Sequence, residues 1–114
     1  MKERIKSFTH ALRGIKILLG ERNAKIQVAV AILAVALGIY CRISSTEWAI
    51  IAFSIALVLA LEAVNTALEV DMNLTSPEYH PAARDVKDVA AGAVLIAAIG
   101  AAGIALFIFL PKLW

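Results

Sequence analysis

Charge is missing from two long stretches of this sequence: neither Ile26–Cys41 nor Val89–Leu110 holds an Asp, Glu, Lys or Arg. Charged residues make up only 18% of the chain against 61% hydrophobic, a balance far from that of a soluble globular domain. Cysteine is confined to Cys41, which excludes an internal disulfide and reads as a small apolar residue near a boundary. Proline is absent from every apolar run: Pro77 and Pro81 fall in the most polar stretch, "NLTSPEYHPAARDVKD", and Pro111 follows the last run. There is no G-x-x-x-x-G-K-[ST] loop and no protein-kinase motif set, which excludes the common phosphate-binding architectures. No internal repeat or low-complexity linker is present. The first apolar run starts late and no A-x-A site ends it, unlike a cleaved signal peptide.

What is present points to one all-α domain, residues 1–114, embedded in a membrane, with mean hydropathy +0.83. Residues 1–22 have a helical period, with Ile5, Phe8, Leu12, Ile15 and Leu19 on one face and Lys2, Lys6, Arg13 and Lys16 on another. That is the pattern of a helix lying in the headgroup plane, its basic side toward anionic lipid. Transmembrane helices are expected over about 26–42, 48–72 and 89–110, with the polar 73–88 stretch as a loop and Pro111 as a stop. Twenty-two uncharged residues before Pro111 argue against a soluble helical core. Seven Lys or Arg precede the first span, so the positive-inside rule puts the N-terminus and the 73–88 loop in the cytoplasm and the C-terminus outside. The third span is dense in Ala and Gly, which lets helices approach closely in lipid. Three thin helices enclose little, so a homo-oligomeric bundle is expected.

The second span is the unusual one. Glu62, Asn65, Thr66 and Glu69 are spaced to stack on one helix face, the two acids roughly 10 Å apart along the axis. About 21 Å of helix separates Glu62 from the outer edge at Trp48, so Glu62 sits deep and Glu69 near the inner boundary. Ionisable groups at such depth mark functional sites. A carboxylate kept from bulk water suits a general base acting on a weakly acidic hydroxyl. One at the water boundary suits Mg²⁺, which arrives with nucleotide phosphates. Glu21, Lys25, His80, Lys87 and Asp88 fall on the same side of the membrane, and phosphoryl transfer needs little more than such acids and a lysine.

At "EAVNTALE", with "SPEYHPAARDVKDVAAGAVL", the chain resembles the small bacterial membrane lipid kinases, the prokaryotic diacylglycerol kinase/undecaprenol kinase family. The resemblance covers essentially the whole chain and rests on E-x-x-N-[ST]-A-[IL]-E, E-[YF]-H and K-D-x-[AG]-[AS]-A-V-L in combination. It implies an ATP- and Mg²⁺-dependent kinase acting on the primary hydroxyl of undecaprenol, slightly favoured, or diacylglycerol. It implies that Glu62 is the catalytic base, that Asn65 is its polar neighbour in the site, and that Glu69 and Glu21 are the metal-binding acids. Glu78, Tyr79 and His80 would contact the nucleotide, and Lys87 and Asp88 its phosphate and ribose. A homotrimer in the bacterial cytoplasmic membrane is implied, with lipid and ATP as partners and no nucleic acid. One position departs from the pattern: the family often has Asp four residues after the second Glu, where this chain has Asn73, and its nearest acid is Asp71. The competing class is a small ion-coupled transporter or channel subunit using the Glu62/Glu69 stripe. The chain has no inverted repeat and no Gly/Pro-broken span to support it.

Overall fold

The computed structural model describes all residues 1–114. It is entirely helical: α1 Lys2–Leu19, α2 Arg22–Cys41, α3 Ser45–Thr75 and α4 Pro81–Leu113. The last three are long and apolar enough to cross a membrane. The chain is an all-α membrane protein, with α3 packed chiefly on α4 and more lightly on α2.

The helices run past the expected bounds wherever a cap allows it. The helix α3 begins at Ser45 because Ser44 and Glu47 form a capping box: Ser44 Oγ accepts from the Glu47 amide at 3.2 Å, and Glu47 Oε1 from the Ser44 amide at 2.9 Å. At the other end α3 extends to Thr75, where the next residue but one is Pro77. The expected 73–88 loop shrinks to residues 76–80. Pro81 opens α4 instead of breaking it, since a first-turn residue needs no amide donor, and His80 Nδ1 accepts from the Ala82 amide at 3.1 Å. Nor does Pro111 stop α4, which runs to Leu113, because a proline in the last turn removes only one ladder bond.

Helix α1 ends at Leu19 with Gly20 as its C-cap, short of the expected 22, and it touches the rest of the chain through a different face from its apolar stripe. Leu18 is buried, whereas Ile5, Phe8, Leu12, Ile15 and Leu19 are exposed. That unpartnered stripe is the face a surface helix turns to lipid.

The apolar core is gathered at the end far from the α3–α4 loop. Ile43, Ile51, Ile108 and Phe109 are buried there, with Trp48 and Cys41 packed beside them. The turn feeding this core is tight. Arg42 is left-handed (φ 53°), the Arg42 amide donates to the Ile39 carbonyl and the Ile43 amide to the Gly38 carbonyl. The turn thereby drives Ile43 inward. Lys112 Nζ lies 3.3 Å from Glu47 Oε1 and ties the end of α4 to the start of α3. Gly38 is required for a close approach: a Cβ there would fall 2.7 Å from Trp48 Cη2 and 3.1 Å from Ile43 Cδ1. Gly38→Val is expected to destabilise the chain by about 1–3 kcal/mol through overpacking. Thermal unfolding in detergent against wild type checks it.

Candidate functional site

Buried polarity collects at the opposite end of α3. Glu62 is 3% exposed, Asn65 5% and Thr66 8%, while Glu69, two turns on, is exposed. The chain's own helices thus cover Glu62 and leave Glu69 open. One helix positions both, since residues three, four and seven apart share a face.

Each glutamate is met by an amide. Gln27 Nε2, on α2, donates to Glu62 Oε2 at 3.3 Å. Asn65 Nδ2 donates to Glu69 Oε1 at 3.4 Å. Both amides leave a carbonyl oxygen buried and unpartnered, Gln27 Oε1 and Asn65 Oδ1. Withdrawing a carboxylate from water costs several kcal/mol. One long bond to a neutral amide, worth about 1.5–3 kcal/mol at best, does not offset that. Burial of that kind makes Glu62 a candidate functional residue. Gln27 was invisible to a reading based on formal charge, because the run Ile26–Cys41 scores as uncharged. The signal was a lone amide inside an apolar span.

Lys87 lies on the second turn of α4 and not in a loop. Its Nζ donates to Asn73 Oδ1 at 2.6 Å, across from α4 to α3. The departure at Asn73 is thus filled by a neutral acceptor that leaves the Lys87 charge uncancelled. Asp71 is exposed, and its carbonyl accepts from Thr75 Oγ1 at 2.8 Å. Asp88 is exposed and lies 3.7 Å from Arg84 Nε, one turn back. Glu78, Tyr79 and His80 are all exposed in the 76–80 loop, and His80 is committed by Nδ1 to capping α4. Glu21 is the N-cap residue of α2, but its side chain makes no capping bond and its carboxylate is exposed.

The face Glu62–Glu69 and the Asn73–Lys87 bond are thus continuous along the C-terminal half of α3. Glu21 lies at the α1–α2 junction. No three His, Cys, Asp or Glu side chains converge into a ready-made metal cage. Between α1 and α3 runs a groove lined by Gly14, Leu18, Ala63, Thr66 and Val70. It flanks the polar face, on a surface otherwise apolar.

Comparison with known proteins identifies the family. The family model for prokaryotic diacylglycerol kinase matches residues 9–109. An undecaprenol kinase of Bacillus subtilis (strain 168) is 42% identical over 109 residues, covering 95% of this chain and 89% of that protein. A diacylglycerol kinase of Synechocystis sp. is 35% identical over 109 residues, covering 94% of this chain but only 62% of that longer protein. A diacylglycerol kinase of Helicobacter pylori (strain J99) is 28% identical over 99 residues, 86% of this chain and 77% of that one. The transporter or channel alternative is set aside. With the match running from α1 through all three spanning helices, this chain belongs to the prokaryotic diacylglycerol kinase family and is a membrane lipid kinase.

Proposed function

We propose that the chain transfers the γ-phosphoryl group of ATP, with Mg²⁺, to the primary hydroxyl of a membrane lipid. Undecaprenol is favoured over diacylglycerol, because identity to the undecaprenol kinase is the higher and covers more of both chains. The observation that carries the reading is Glu62, a carboxylate 3% exposed in a helix otherwise built for lipid. Only a substrate whose hydroxyl comes from within the membrane gives a base at that position a use.

In this mechanism Glu62 receives the hydroxyl proton as the lipid oxygen attacks the γ-phosphorus and ADP departs with the electron pair of the broken P–O bond. Asn65 borders the base and orients Glu69 through its N–H. Lys87, held by a neutral acceptor, keeps its full charge for phosphate oxygens. Glu78, Tyr79, His80 and Asp88 are exposed about the same loop, where they can contact the nucleotide. The donor set fits a cation that comes with phosphates: Glu69 and Glu21 offer exposed carboxylates, and Mg²⁺ is held through one or two acids plus substrate oxygens, not in an all-protein cage. Bound there, it would neutralise charge on the phosphates.

Seven Lys or Arg before the first span support a cytoplasmic N-terminus, which places Glu69 and the 76–80 loop on the side that holds ATP and the C-terminus outside. A homotrimer in the bacterial cytoplasmic membrane is part of the proposal, supported by the apolar side chains that α2 and α4 leave uncovered.

The test is phosphate transfer from γ-labelled ATP in mixed micelles offered undecaprenol and diacylglycerol separately. Label in undecaprenol alone or in marked excess supports the assignment; label in diacylglycerol alone overturns the lipid, and label in neither overturns both. Glu62→Gln should lower kcat by about 10²–10⁴-fold while nucleotide binding persists. Turnover near that of wild type would dismiss Glu62 as base. Glu69→Gln should raise the Mg²⁺ concentration for half-maximal activity roughly 10–100-fold. An unchanged Mg²⁺ titration would remove it from the metal site.

A further inference from the structure

Gln27 is the sole amide in the run Ile26–Cys41, and the side chain it meets is Glu62, on another helix. Its Nε2 donates to Glu62 Oε2 at 3.3 Å, and its Oε1 is buried with no partner. No other side chain in the protein bonds the Glu62 carboxylate. Gln27 also lines the cleft between α2, α3 and α4 with Val30, Ile55 and Val58, where an aliphatic residue would pack equally well. That replacement would leave no buried carbonyl unsatisfied, so packing gives no reason for an amide here.

We propose that Gln27 is a positioning residue for Glu62, holding the carboxylate by its N–H before proton transfer and accepting from it by Oε1 afterwards. The inference rests on the reading of Glu62 as the base. During transfer the acceptor O–H bond breaks and its proton joins a Glu62 oxygen. The hydroxyl oxygen bonds the γ-phosphorus, and the bond from that phosphorus to the ADP oxygen breaks, its electron pair leaving on ADP. Glu62 thereby changes from an acceptor-only carboxylate to an acid with one O–H to donate. An amide, uncharged, serves both states by turning about its last bond. Because Oε1 has no other partner, nothing within the chain opposes that turn. A lysine or arginine could only donate, and an apolar residue could do neither.

The experiment compares wild type, Gln27→Met, Gln27→Glu and Glu62→Gln, each as purified full chain in mixed micelles, with Mg·ATP and whichever lipid alcohol wild type accepts. Gln27→Met keeps length and shape but removes both donor and acceptor. Its kcat should fall by about tenfold to a hundredfold. Its KM for Mg·ATP should stay within about twofold, as expected of a misoriented base in an intact nucleotide site. Gln27→Glu, similar in size but without the amide donor, should lose at least as much, and it carries the test if Gln27→Met does not fold. Adding Gln27→Met to Glu62→Gln should cause no further loss, since the residue acts only through Glu62. Wild-type kcat in the folded Gln27 variant, or a loss confined to KM or to thermal stability, overturns the inference. Where Glu62→Gln is inactive and Gln27→Met fully active, this inference alone falls. Where Glu62→Gln itself turns over normally, the base assignment falls and takes this inference with it.

Discussion

The bond from Gln27 to Glu62 is where α2 and α3 meet through something more directional than apolar contact. In lipid, burying apolar surface between helices gains little, because the hydrocarbon around them is equally apolar, so polar bonds and close packing decide how helices sit. The two ends of the bundle divide these roles. Far from the loop, Ile43, Ile51, Ile108 and Phe109 interlock around Trp48 and the glycine at 38. Near the loop, Glu62, Asn65 and Thr66 are buried with few partners. The packed end holds the helices in register, and the sparse end keeps a carboxylate whose hydrogen-bonding capacity is largely unspent.

The polar face follows one rule twice. Gln27 gives its N–H to Glu62 and Asn65 gives its N–H to Glu69, and each keeps a carbonyl oxygen with nothing to accept from. A neutral amide fixes the orientation of an acid without cancelling its charge, which a lysine would do. Asn73 does the same for Lys87 with the sign reversed. Glu62, Glu69 and Lys87 are therefore each met by a neutral partner, whereas Arg84–Asp88 and Glu47–Lys112 are ion pairs.

Much of this was readable before any coordinates. Uncharged runs marked the spans, and the spacing of Glu62, Asn65, Thr66 and Glu69 marked a single face. The helix ends were not readable in the same way, because hydropathy falls off before hydrogen bonding does. The signals that extend α3 and α4 are polar: a serine and a glutamate three apart, and a histidine before a proline. Counting charge also passed over Gln27, whose weight comes from the residue it meets thirty-five positions later, a relation that no local period encodes. The partner of Lys87 was hidden likewise, since Asn73 was noticed only as a departure and its contact crosses the loop.

Because Pro81 begins α4 rather than ending a loop, Lys87 belongs to the same continuous helix as Lys112. Two lysines about 37 Å apart along that helix fasten it to α3, one to Asn73 and the other to Glu47. The arrangement is that of a lever fixed at both ends. Over that length each degree of tilt moves the Lys87 end by about 0.6 Å, so a change too small to disturb Ile108 or Phe109 is enough to alter the hydrogen bond at Asn73.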